Sequence, residues 1–246
     1  MALDPPGEVV TFLNVIGISW PLVNEDTVRE FAGHVRTFAA NMEATHQDAS
    51  ATVRQMGQAY HGASYDALVA KWADMSSTHM NALLDGCRVL ATALDAAADY
   101  IVALKVEAIA ELVAMAASFI ADQAAAIATF GLAEAAEAVI VEAGEKAVEF
   151  LKQTAVQYIV GEVVEAAVKP LMSVVQRAVD GFAFPAMESV LGVSGGVSGG
   201  VSGAGAAFGI DPDALGAHAA AMQAHAQTAA GHAATFLGAT AGLDFR

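Results

Sequence analysis

Residues 59–104 read AYHGASYDALVAKWADMSSTHMNALLDGCRVLATALDAAADYIVAL, and this stretch decides the fold. Gly62 sits where the chain must reverse tightly, and a residue without Cβ does so at least steric cost. Ser64 reads as the N-cap of the helix that follows. From Met80 onward, apolar residues recur at Met80, Leu83, Cys87, Leu90, Leu94, Ala97, Ile101 and Leu104, in alternating steps of three and four. That rhythm is a coiled-coil seam. Upstream of the turn, Val28, Phe31, Val35, Phe38, Met42, Thr45, Ala49, Thr52 and Met56 keep the same rhythm. Two seams joined by a glycine turn predict an αα-hairpin. Asn24 is the expected N-cap of the first helix, with Glu25 and Asp26 favoured by its dipole and Val23 stapled to Val28.

Outward from the hairpin the chain stays helical. At the N-terminal side, Pro5-Pro6 start a short helix with Val9, Val10, Phe12, Leu13 and Ile16 on one face, ended by Gly17 and Trp20-Pro21. It is expected to lid the hairpin, with Trp20 as a packing anchor. On the other side, Ile109, Leu112, Ala116, Ile120, Gln123, Ile127 and Phe130 continue the rhythm up to a reversal at Gly131. The second helix could therefore run for about 65 residues, with Lys105 the place for a break. A further helix from Ala133, carrying Val139, Ile140, Ala143, Ala147, Phe150, Leu151 and Tyr158, must pack back on it until Pro170 interrupts.

GVSG occurs three times between Leu191 and Gly205, a composition that gives flexible coil. After it, Asp211 caps a last helix with Pro212 in its first position. Aligned on Asn24, that helix repeats the seam through Leu215, His218, Met222, His225, Ala229, His232 and Phe236, but the chain stops where the second hairpin would turn. Its stripe needs a partner: the N-terminal hairpin, another protein, or further residues of a longer chain. The expected fold is all-α, a long coiled-coil-like hairpin extended into an elongated helical bundle. Its expected parts are residues 1–190, a Gly/Ser linker at 191–209, and one C-terminal helix at 210–246.

Composition narrows the function. The 246 residues carry 27 acids against 11 bases, a net charge of −16, which repels nucleic acid and anionic headgroups, so neither is an expected partner. The single cysteine, Cys87, allows no internal disulfide and, at a seam position, reads as a small buried apolar residue. Asp4 and Glu8 stand where a Sec signal peptide needs positive charge, so export without one is expected. Uncharged runs in the central region stay below the ~18 residues of a spanning helix, and membrane insertion is not expected.

No catalytic constellation is legible: there is no Gly-x-Ser-x-Gly elbow, and the Gly repeats are followed by no Lys of a phosphate loop. His218, His225 and His232 share one stripe, but seven-residue spacing separates successive rings by roughly 10 Å, too far for one metal. A polar seam that sets register or partner choice is the reading that fits. No catalytic residue, metal or cofactor is expected.

The order Tyr60-His61-Gly62, Ala63-Ser64-Tyr65, Lys71-Trp72 and then the Met80–Leu94 seam resembles the small WXG-motif substrates of type VII (ESX) secretion systems, with Tyr in place of the signature Trp. With its leading Pro-rich helix and Ala-rich extension, the chain is most similar to the N-terminal domains of large actinobacterial secreted toxins, of the channel-plus-necrotizing-toxin type. Tyr158-x-x-x-Glu162 has the form of the acidic tyrosine export signal of such substrates. The resemblance implies a secreted, non-enzymatic targeting module. Its hairpin would pair with a small WXG-type hairpin protein or with itself, giving a four-helix bundle, and would be read by a type VII secretion ATPase. Recognition would fall on Tyr60, Gly62, Trp72, Tyr158 and Glu162, and pairing on Phe31, Val35, Phe38, Met42, Leu83, Leu90, Leu94, His218, Met222 and His225. A membrane-active or channel-forming helical protein is the alternative.

Overall fold

A computed structural model describes residues 2–20, 24–126, 133–173 and 209–245. The described residues are almost all helical: α1 (Gly7–Val15), α2 (Glu25–Ala59), α3 (Ala63–Met75), α4 (Asn81–Ala126), α5 (Ala133–Tyr158) and α6 (Pro212–Ala241). Two residue pairs, β1 (Tyr60–His61) and β2 (Gly209–Ile210), form a minimal antiparallel ladder with Tyr60 opposite Ile210 and His61 opposite Gly209. The expectations for Val23, Gln123, Ile127, Phe130, Gly131, Val139 and the Gly/Ser stretch from Leu191 to Gly205 lie outside the described residues or side chains.

The predicted long second helix runs as α3 and α4 joined without a break by one π-helical turn, Ser76–Met80. Its cause is local. Ser76 Oγ donates to Trp72 O at 2.7 Å and Ser77 Oγ to Asp74 O at 3.2 Å, so hydroxyls compete with the regular ladder for carbonyls in the preceding turn. Lys105, expected as a possible break, lies inside continuous helix and is buried. A second π-helical stretch, Ile159–Val168, continues α5.

Contacts divide the chain into two compact units. The first comprises residues 1–33, 91–168 and 242–246. Val9, Phe12 and Leu13 of α1 are buried with Leu112, Ala116 and Phe119 of α4 and Ala147 and Val148 of α5, and Trp20 packs at the edge of this cluster. The short helix thus covers the Ala-rich extension rather than the hairpin seam. Gly144 makes that possible: a Cβ there would meet Ile16 at 3.1 Å and the Phe12 ring at 3.5 Å. The docked α1 also corrects two stripe positions. Phe119 is buried while Ile120 is 59% exposed, and Val148 is buried while Phe150 is 61% exposed, because helices apolar nearly all round leave the choice of buried face to their neighbours. Gly17 ends α1's turn with φ 75°.

Asn24 caps α2 as expected, its Oδ1 accepting from the amides of Asp26 at 3.1 Å and Thr27 at 3.2 Å. Glu25, in the first turn of α2 where the dipole favours an acid, is buried, and the Lys105 ammonium donates to it at 2.6 Å. The amide of Leu3 also donates to Glu25.

The second unit comprises residues 34–90 and 169–241. Here α6 runs antiparallel to α2. Phe38 meets Phe236 at a ring separation of 5.2 Å, Thr45 pairs with His232 at 3.0 Å and Thr52 with His225 at 3.1 Å. Two steps of seven along α2 meet a step of four and then one of seven along α6, the spacings of a heptad seam. Val35, Ala49, Val53 and Met56 of α2 and Leu84, Cys87 and Leu90 of α4 are buried.

Candidate functional site

The hairpin tip is built from four successive letters. Ala59 ends α2, Tyr60 and His61 are extended, and Gly62 turns with φ 135° and ψ 176°, a conformation that favours glycine. Ser64 does not cap. The Gly62 carbonyl accepts from the amides of Tyr65 at 2.9 Å and Asp66 at 3.2 Å, so α3 begins at Ala63 with a backbone cap. Sequence reasoning missed the clasp on this turn: besides the β1–β2 ladder, the Asp211 amide donates to Ala59 O at 2.7 Å. The only advance signal was the placement of Asp211 and Pro212 as a helix start, which says nothing of where that start docks.

Tyr65 locks the tip from inside. Its ring stands edge-on to Tyr60 at 6.2 Å and its hydroxyl donates to Val53 O at 3.2 Å. That approach runs over Gly57, where a Cβ would lie 2.5 Å from the hydroxyl oxygen. Gly57 is a second position that sequence reasoning missed, since it looks like an ordinary glycine in a helical run.

Trp72 lies three helical turns from Gly62. Its Nε1 donates to Ser50 Oγ at 2.9 Å, and its ring stacks on His46 at 5.3 Å with 14° between planes. Burial holds the His46 imidazole below its usual range, so the stack is between neutral rings at neutral pH. Lys71 beside it is exposed and reaches Asp74 at 3.7 Å. Tyr60, Gly62 and Trp72 thus belong to one unit and one end of one hairpin.

Tyr158 belongs to the other unit. It is half-buried and stacks on Tyr100 of α4 at 4.2 Å, at the point where α5 passes into its π-helical continuation. The side chain of Glu162 lies outside the described residues.

Of the pairing residues, Val35, Leu90 and Leu94 are buried, and Phe31, Phe38, Met42, Leu83, His218, Met222 and His225 are half-buried. The column Phe38, Thr45, Thr52 faces α6, and Phe31 meets Phe245 edge-on at 6.2 Å. Thr52 also donates to Asp48 O at 3.2 Å. Its one proton is thereby used, so His225 Nε2 is the donor in their shared bond. Cys87 is buried, and burial pushes its thiol up, away from the reactive thiolate. Among the described residues, no three His, Cys, Asp or Glu side chains are placed to hold a metal, and no helix is long and apolar enough to cross a membrane.

The family model for a WXG100 like domain matches residues 4–145, more than half of the chain. No curated protein and no solved structure matches it.

Proposed function

Because the chain belongs to the WXG100-like family, we propose that it is a type VII secretion substrate, or the N-terminal targeting module of a secreted toxin, that acts by recognition. The family consists of type VII secretion-related helical hairpin proteins that pair with partners and are typically non-enzymatic. In the finer reading, a small WXG-type hairpin protein or a second copy pairs with this chain, and the type VII ATPase reads the Gly62 turn together with Tyr158 and Glu162. The observation that carries the reading is the Tyr60-His61-Gly62 tip, held in a conformation that favours glycine within the span that matches the family.

A β-branched residue at Gly62 strains that conformation while leaving the helices their own ladders. Gly62→Val in a host with a type VII system is expected to cut the secreted fraction at least tenfold with an unchanged helical circular-dichroism spectrum. Undiminished secretion overturns the reading. A membrane-active protein is the second reading, favoured by the exposed Ile120 and Phe150 of the Ala-rich helices. Dye leakage from zwitterionic vesicles at micromolar protein would decide for it.

A further inference from the structure

The distal half of α4 has two apolar faces. One is buried, through Ile101, Leu104, Ala108, Leu112, Ala116 and Phe119. The other lies about 150° round the helix at 100° per residue and consists of Ala103, Val106, Ala110, Val113, Ala117 and Ile120, every one exposed. Val106, Val113 and Ile120 are 53%, 38% and 59% exposed. Steps of three and four separate these six, so alanine fills one heptad column and β-branched residues the other. Small residues in one column let a second helix approach closely while the branched column supplies the knobs. A stripe of this regularity over five turns is a pairing face rather than scattered exposed apolar residues.

Charge chooses the occupant. Between Val89 and Ala126 the only basic residue is Lys105, and it is buried against Glu25. Glu107 and Glu111, exposed along one flank of the stripe, make that flank acidic, while Asp99 at its head is held by Arg29 at 2.8 Å. A second copy of this chain would bring acid against acid, and an anionic bilayer would do the same. We propose that the Ala103–Ile120 stripe docks an amphipathic helix of another protein, with an apolar heptad seam flanked by Lys or Arg. This rests on the reading of the chain as a helical-pairing module, and moves the pairing face for a foreign helix from the hairpin column that meets α6 to the outward side of α4.

The test uses the full chain and a fluorescein-labelled three-heptad peptide with Ala and Leu in its seam and Lys on both flanks, together with the same peptide carrying Glu flanks. Anisotropy titrations are expected to show the Lys peptide binding at least tenfold more tightly than the Glu peptide. Val106→Gln/Val113→Gln, which keeps every charge and a good helix former, is expected to lose at least tenfold of that binding with unchanged helix content. Equal binding by the Gln variant would show general attraction to an acidic protein and overturn the proposal. So would light scattering that finds a dimer of the chain abolished by the same variant, or zwitterionic vesicles that bind the parent chain but not the variant. Export separates this proposal from the functional reading: loss of secretion in Gly62→Val beside peptide binding indifferent to the Gln variant would sink the docking face and leave the targeting role standing.

Discussion

Tyr65 stands so close over Gly57 that a methyl group on Gly57 would fall 2.5 Å from the phenol oxygen and 2.7 Å from the ring carbon bearing it. Alanine normally favours a helix interior over glycine by about 1 kcal/mol. Here the ring must leave, and its hydrogen bond to Val53 O goes with it, an overpacking penalty of about 1–3 kcal/mol. Gly57→Ala is therefore expected to destabilise the protein in chemical denaturation. In a Tyr65→Ala background the same change is expected to stabilise it. A stabilising Gly57→Ala in the parent would show that Tyr65 has no fixed seat.

The Glu25–Lys105 pair carries the second prediction. Both side chains are nearly inaccessible, 2% and 3% exposed, so removing one partner strands a charge. Lys105→Met is expected to cost about 3–5 kcal/mol, and Glu25→Leu/Lys105→Met to recover most of it. Burial works to raise the Glu25 carboxyl, but the bonds from Lys105 and the Leu3 amide hold it below its usual range. A depressed carboxylate contributes stability above its unfolded value of about 4.3 and loses it as pH falls through the folded value. Denaturant midpoints should therefore fall below about pH 4.3 in the parent, with a shallower fall in the double variant.

The hairpin was legible because two independent signals agreed, the seam from Val28 to Leu104 and the glycine between its halves. The Asn24 cap was legible for the same reason, being a short-range rule about one side chain and two amides. What could not be read is what depends on a distant neighbour. Phe150 and Ile120 looked like stripe residues, yet α1 selected the faces beside them. Glu25 was legible as a first-turn acid, but nothing near it in sequence announced its bond to Lys105, eighty residues away. The clasp of Gly209 and Ile210 on the hairpin tip joins positions about 150 residues apart, with no pattern in either dipeptide to announce it.

Trp72 and His46 give a pH prediction in the other window. The folded imidazole is held below its usual range by burial, so the neutral ring is favoured in the fold. Stability from this term is fully present above the unfolded value of about 6.5 and declines as pH falls through it toward the folded value. With Trp20→Phe removing the other indole, Trp72 emission is expected to change between pH 7 and pH 5. His46→Gln should abolish the change. A titration that persists in His46→Gln would place its source elsewhere.

The last prediction concerns how α6 is held. Its seam with α2 contains the Phe38–Phe236 pair, and no residue of α6 is buried, so polar bonds carry more of the alignment than in an ordinary coiled coil. Thr52 gives its proton to Asp48 O, which leaves His225 Nε2 donating to Thr52 Oγ1. Thr52→Val keeps the shape and removes that acceptor, at a cost of about 1 kcal/mol for the lost bond. In a helix with no buried residue such a loss is expected first as faster local exchange. Hydrogen exchange of residues 222–232 is expected to accelerate about fivefold in Thr52→Val, with the amides of α2 around Val35 unchanged. Thr45→Val should act on His232 in the same way, and the two effects should add, since the pairs are a full heptad apart. Protection of α6 that is indifferent to both substitutions would mean that shape alone holds the helix, and the threonine–histidine ladder would lose its role in setting the register.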